Sequence, residues 1–249
     1  MSESYKLNEK QIKTLKLFYK FRFLTVDLIA NLLAITRSTA NTNLLVLERR
    51  GFLNRHYKPI YKLDRKAARY YLSNKGIKEL KQNLELNDGI VRSYYKNKSV
   101  SEPFITHNLN IAQAYTNFNK HYPKRFTMLT KAEMANHEQF PPNKPDLFLQ
   151  DSTGKQYFLY MYEDTQLWVI QKHIKQLIEH CDDEEWPGTY PDILIACPNS
   201  RIEYKLGQYL ESKLEDFEFL LTTTKALTSS EVRAIWSLPP DSQTLKELV

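Results

Sequence analysis

PDLFLQDSTGKQYFLYMYEDT, residues 145–165, decides how the second half of the chain is read. Asp146-Leu147-Phe148-Leu149 reads as a strand, Asp151-Ser152-Thr153-Gly154 as a turn, and Gln156 to Tyr162 as a returning strand rich in aromatics. A Pro-Asp pair therefore opens one strand, and two acids, Glu163 and Asp164, end the next. Strand side chains alternate between faces, so Glu163 goes with Met161 and Asp164 with Tyr162. On a regular strand only one of the two acids faces Asp146. Carboxylates converging from neighbouring strands are the oxygen ligands a hard divalent ion such as Mg²⁺ requires.

The flanks supply the rest of a layered domain. FITHNLNIAQAYTNFNKHYP (104–123) reads as a helix with Ile105, Leu109, Ala112 and Tyr115 on one stripe, and RFTMLTKAEMA (125–135) as a strand entering a polar loop. QLWVIQKHIKQLIEHC (166–181) is amphipathic with Ile170, Ile174, Leu177 and Ile178 inward. PDILIAC (191–197) has the continuous apolar run of a buried strand, and another helix and strand follow at 201–214 and 217–223. Such alternation predicts a mixed α/β sheet with helices against it. His173 and His180, near Cys181 and Asp182, read as a solvated helix end ahead of an acidic run and not as a metal site.

This order resembles the restriction-endonuclease-like fold of the PD-(D/E)xK superfamily. The resemblance implies an Asp on one strand, and an acid and a Lys on the next, holding Mg²⁺ beside a phosphate. Asp146 fits the first position and Glu163 the second, but Thr165 stands where the Lys is expected. Shifting by one gives Asp164-Thr165-Gln166, with Gln166 in the Lys slot. If the domain were active, its residues would be Asp146, Glu163, Asp164 and Gln166. The departures predict a nuclease-shaped domain that has lost its chemistry.

The other half of the chain has a different character. Residues 1–100 carry 21 Lys and Arg against 8 Asp and Glu, a net +13, whereas residues 101–249 carry 14 against 21, a net −7. A basic domain beside an acidic one points to a polyanion for the first. LNEKQIKTLKLFYKFRF spaces Ile12, Leu15, Phe18 and Tyr19 helically, and TVDLIANLLA is a second helix with Thr25 as cap. RSTANTNLLVLERRGFL (37–53) is a third, with Ser38 as candidate cap, Ala40, Leu44 and Leu47 on one stripe, and Gly51 ending it. Phe52 to Tyr57 and ARYYL (68–72) read as two strands joined by a basic excursion.

Three helices followed by a hairpin resemble a winged helix-turn-helix, as do the Leu-Glu-Arg-Arg-Gly ending and the YYLSNKG turn (70–76). At 100° per residue the direction opposite the apolar stripe falls near Thr42, with Ser38 and Thr39 beside it and Arg37 and Asn41 on the shoulders. In such a motif the N-terminal half of this helix enters the major groove, where Arg reads guanine and Asn adenine. Arg55, His56, Lys58, Lys62, Arg65, Lys66 and Arg69 form a basic wing suited to phosphates. The expected organisation is a winged helix over 1–83, a connector over 84–103 lacking apolar period, and the α/β nuclease-like domain over 104–249. The fold class is thus α+β.

Bulk composition narrows the field. At 42% hydrophobic and 12% aromatic residues, 249 residues bury a real core. Six glycines leave no room for large phosphate loops, and Cys181 and Cys197 make neither a disulfide scaffold nor a zinc finger. No apolar run approaches a membrane span and the start is not a signal peptide, which predicts a cytoplasmic protein without a membrane partner.

The whole pattern, with His107-Asn108-Leu109 opening the helix ahead of Pro145-Asp146, resembles the replication-relaxation family of mobile-element proteins. The resemblance implies a plasmid-type DNA-binding protein in replication or its control. The family's Glu-x-Asp would fall on Met161 and Glu163, so its first acid is missing. The expectation is a non-enzymatic, sequence-specific binder of double-stranded DNA, acting as a homodimer and needing no cofactor. Two rivals stand beside it: a Mg²⁺-dependent endonuclease, and a winged-helix module that binds protein.

Overall fold

The computed structural model describes residues 6–57, 66–182, 186–211, 213, 218–229, 234–239 and 245–248. The chain divides into two compact units, Met1–Ala112 and Gln113–Val249.

In the first unit, α1 (Glu9–Phe21) starts at a capping box: the Asn8 carboxamide accepts the Gln11 N–H at 2.9 Å, and the Gln11 side chain accepts the Asn8 N–H at 3.1 Å. Thr25 caps α2 (Val26–Leu33) as read from the sequence. For α3 (Arg37–Arg49) the cap is Thr36 and not Ser38, because the cap must be extended and Arg37 is already helical. Thr36 accepts the Thr39 N–H at 3.2 Å, which moves Ser38 into the first turn. Gly51, at φ 78°, closes α3. Its N–H reaches Glu48 O and the Phe52 N–H reaches Leu47 O, both at 2.9 Å, a Schellman pair.

β1 (Leu53–His56) and β2 (Arg69–Leu72) form an antiparallel hairpin. Leu24, between α1 and α2, adds a short third rung, exchanging two hydrogen bonds with Tyr70 at 2.8 and 3.1 Å. The expected basic residues Lys58, Lys62 and Arg65 lie outside the described residues. α4 (Asn74–Asn83) begins tight against the end of α3. Ser73 Oγ donates to Gly51 O, and a Cβ on Gly76 would come within 2.2 Å of Phe52 O, so only glycine fits there.

The segment expected as a connector, 84–103, is structured. It carries α5 (Asp88–Tyr94), a 3₁₀ turn (Asn97–Ser99) and the start of α6 (Glu102–His121). Arg22 is the reason. Its guanidinium bonds Asn97 Oδ1 at 2.6 Å and Ser93 O at 2.8 Å, and it lies 4.5 Å over the Phe104 ring and 5.1 Å over that of Tyr94. Phe23, Tyr71 and Ile105 pack together beside it. Such anchors join distant segments and leave no local period to read.

The second unit is built on a mixed sheet of seven strands among the described residues. β3 (Phe126–Thr130), β4 (Leu147–Asp151) and β5 (Gln156–Met161) form an antiparallel meander. β6 (Asp192–Cys197) and β7 (Phe219–Thr223) continue it in parallel, and the short β8 (Trp236–Ser237) and β9 (Leu245–Lys246) close it antiparallel. α7 (Lys131–Met134) follows β3 directly. α8 (Leu167–Asp182) makes the crossover to β6, and α9 (Ser200–Leu210) the next to β7, where α10 (Thr224–Thr228) begins.

One face of the sheet, with Phe148, Phe158, Tyr160, Ile193 and Ile195, packs under Ile170, Ile174 and Leu177 of α8 and Leu206 of α9. Asn117 on α6 is buried and donates to Leu227 O at 3.0 Å and Ser229 O at 2.6 Å, fastening that helix to the end of α10. The chain as a whole is thus mixed α+β with a mixed sheet.

Candidate functional site

Two places carry polar chemistry, one in each unit. On α3, Ala40, Leu44 and Leu47 are fully buried, while Arg37, Ser38, Thr39, Asn41 and Thr42 are exposed. A 3.6-residue period and an apolar stripe at 40, 44 and 47 leave the opposite side of the first two turns to solvent. Arg37 Nε sits 2.6 Å from Asp27 Oδ1 on α2, with the two side chains 75% and 56% exposed. A pair that open to water is worth at most about 1 kcal/mol, so it orients Arg37 without locking it.

Of the basic hairpin residues, Lys66 is exposed. Arg55 pairs with Glu48 at 3.1 Å and lies 5.6 Å from the exposed Tyr57 ring. His56 and Arg69 turn inward instead. They are cross-strand partners, so both point to the same side of the hairpin. Arg69 is 6% exposed and ion-paired with Glu102, and His56 Nε2 meets Asn97 O at 3.0 Å. Both leave the expected phosphate-contacting set.

In the second unit Asp146 stands just ahead of β4, whose Leu147 pairs with Leu159, and its N–H donates to Leu159 O at 2.8 Å. Asp146 is 3% exposed. Its Oδ2 accepts the Met161 N–H at 2.7 Å, and Lys131 Nζ, at the start of α7, lies 2.7 Å from Oδ1. A buried carboxylate needs a cation and hydrogen bonds, and here an ammonium and a backbone amide supply them.

Beside it, His173 on α8 hydrogen-bonds the Tyr162 hydroxyl through Nδ1 and stands edge-on to Tyr160, with ring centroids 4.6 Å apart. Burial, followed by the Lys131 charge, pushes the His173 pKa down to about 4. Burial also holds both tyrosines well above their usual range. The ring is therefore neutral near pH 7 and Tyr162 keeps its proton.

The two acids expected to join Asp146 follow the end of β5. By parity Asp164 belongs to the face of Tyr160 and Tyr162, but the strand ends at Met161; beyond it the Tyr162 N–H pairs with Ala196 O at 2.8 Å and its carbonyl accepts from the Thr224 hydroxyl at 2.9 Å. Asp164 and Gln166 are exposed and Glu163 is half-buried in the bend that follows. Among the described residues no three His, Cys, Asp or Glu side chains converge on a metal position. The charge of the Asp146 carboxylate is met by the Lys131 ammonium.

His173 and His180, expected at a solvated helix end, are 7% and 5% exposed. The signal was available: with Ile170 and Leu177 they continue the buried side of α8 at 3- and 7-residue steps. Lys131 left no comparable signal, since nothing local in TKAEM points to Asp146.

No curated protein matches the chain. Among solved structures, restriction endonuclease FokI aligns at a TM-score of 0.29 and 12% identity, over 90% of this chain and 44% of that one. The chain thus spans less than half the length of that enzyme. Residues 15–170 match the replication-relaxation family, more than half of the chain and both polar sites included up to the start of α8, and the protein belongs to that family.

Proposed function

We propose that the protein binds double-stranded DNA sequence-specifically through α3 and acts in replication of a mobile element or in its control, without catalysis of its own. The observation that carries this reading is the exposed row Arg37, Ser38, Thr39, Asn41 and Thr42 on the first two turns of α3, opposite a fully buried stripe. Membership of the replication-relaxation family and the +13 charge of residues 1–100 support it.

On this reading the first unit is a winged helix. The order of α1, the Leu24 rung, α2, α3 and the hairpin supports that assignment, with Leu24 as its first strand. Arg37 and Asn41 then read base edges while Arg55 and Lys66, with Lys58, Lys62 and Arg65 of the wing, meet phosphates. The second unit is restriction-endonuclease-like in its meander, crossover helix and parallel strand. Its role is dimerisation or partner binding, so that two copies read paired half-sites. Lys131 on Asp146 favours this over an endonuclease.

The test is selection of duplexes by the full chain, followed by binding against a salt series and light scattering of the bound state. The affinity should fall with a log–log slope of about −0.9 per phosphate neutralised, at a stoichiometry of two chains per site. Absent or salt-insensitive binding removes the reading.

A further inference from the structure

Residues 92–99, RSYYKNKS, carry three cations and no acid, and neither α3 nor the basic hairpin accounts for them. Within the first unit this segment is seated on the outer side of the hairpin. The register pairs His56 with Arg69, the rung nearest residues 58–65 in the chain. His56 Nε2 meets Asn97 O at 3.0 Å and Arg69 pairs with Glu102, so the 3₁₀ turn rests on that last rung. α3 lies on the other side of the hairpin, where Arg55 reaches Glu48, because neighbouring strand residues face opposite ways.

Burial sorts the side chains of the segment. Tyr94 and Asn97 turn inward, and Arg22 clamps the backbone from behind through Ser93 O and Asn97 Oδ1. Tyr95, Lys96 and Lys98 turn outward, with Tyr95 46% exposed. The nearest acids in the chain, Asp88 and Glu102, are engaged by Lys81 and Arg69. Lys96 and Lys98 enter no ion pair among the described residues.

Two ammonium groups and a phenol hydroxyl on a turn held in place match a phosphate backbone, which takes its contacts from such side chains. Lysine is a point charge without arginine's rigid fork, and so suits a phosphate better than a base edge. We infer that residues 92–99 make a second, sequence-independent contact with duplex DNA, in which Lys96 and Lys98 neutralise backbone phosphates flanking the site that α3 reads. The inference rests on the reading of the first unit as a binder of duplex DNA. It extends the footprint beyond the hairpin, so that affinity depends on the length of the flanking duplex and not on its sequence.

The test compares the full chain with two double variants. Lys96→Gln with Lys98→Gln removes the contact, and Lys172→Gln with Lys205→Gln removes the same charge from exposed positions on α8 and α9. Urea unfolding followed by circular dichroism should show both to be as stable as the parent. Binding is read by anisotropy against a salt series, on the selected duplex with long and with trimmed flanks, and on an unrelated duplex. Each phosphate contact adds about 0.9 to the log–log slope, so between roughly 50 and 200 mM salt the Lys96 and Lys98 variant should lose about tenfold less affinity than the parent. The difference should appear on the unrelated duplex as well, and should vanish when the flanks are trimmed. If the parent binds and this variant keeps the parent's slope, or the control variant changes it equally, the inference is overturned while the reading of α3 stands. If the slope depends on Lys96 and Lys98 but no sequence is preferred, the reading of α3 fails and the second contact stands. If the parent binds no duplex, both fall.

Discussion

The Asp146–Lys131 pair makes an asymmetric prediction. The Asp146 side chain is 4% exposed and that of Lys131 46%. Lys131→Met takes away the cation and leaves a buried carboxylate, the costly way to break a buried pair, at about 3 kcal/mol or more. Asp146→Asn removes the charge itself. Its amide oxygen still accepts the Met161 N–H, and the half-exposed lysine turns to solvent, so the loss is about 1 kcal/mol, the difference between charged and neutral hydrogen bonds. In the double variant the carboxylate is gone, and the cost should be close to that of Asp146→Asn alone. The coupling energy is then about 3 kcal/mol or more.

Urea unfolding followed by tryptophan fluorescence isolates this unit, since all three tryptophans, Trp168, Trp186 and Trp236, lie within Gln113–Val249. The midpoint of the parent protein should be the same in chelator and in millimolar Mg²⁺, because binding to the folded state alone would raise it. A larger loss in Asp146→Asn than in Lys131→Met, or a parent stabilised by Mg²⁺, would refute the assignment of Lys131 as the resident cation.

Three further outcomes follow from individual contacts. Gly76→Ala forces a Cβ to 2.2 Å from Phe52 O and should destabilise the first unit by about 3 kcal/mol, read by far-UV circular dichroism in urea. His173 titrates near 4 when folded against an ordinary 6.5, so the unfolded chain binds more protons between those values. Stability is therefore complete above about pH 6.5 and falls on acidification towards pH 4 by on the order of 3 kcal/mol, a dependence that His173→Phe should flatten in fluorescence-detected unfolding. On the DNA-binding proposal, Arg37→Ala should relax discrimination at one base position by about 1–3 kcal/mol, whereas Lys66→Ala should weaken all duplexes alike and reduce the salt slope by about one, both measured by anisotropy.

Local chemistry accounts for most of what could be read without coordinates. The stripe of Ala40, Leu44 and Leu47 already sets which side of α3 is open, because a helix repeats every 3.6 residues whatever it packs on. The apolar runs in PDLFLQ and QYFLYM, split by the DSTG turn, likewise settle the two paired strands. The end of α3 at Gly51 and the cap at Thr25 follow from backbone dihedrals and side-chain oxygens within a few residues. The cap at Thr36 shows the limit of this kind of reading, since Thr36 and Ser38 are chemically equal and only the backbone chooses between them.

Tertiary structure alone decided the rest, wherever the deciding contact joins segments far apart in the chain. Arg22 reaching Ser93 and Asn97 turns an aperiodic stretch into part of the first unit. Arg69 and His56, basic residues that composition assigns to the surface, are spent inside on Glu102 and Asn97. Lys131 arrives at Asp146 from the far end of another strand and converts the oxygen-rich corner promised by PDLFLQDSTGKQYFLYMYEDT into a neutral pair. A carboxylate's identity is written in the sequence, whereas its partner is chosen by the packing around it, because in a low-dielectric corner a buried charge depends on whatever the fold brings beside it.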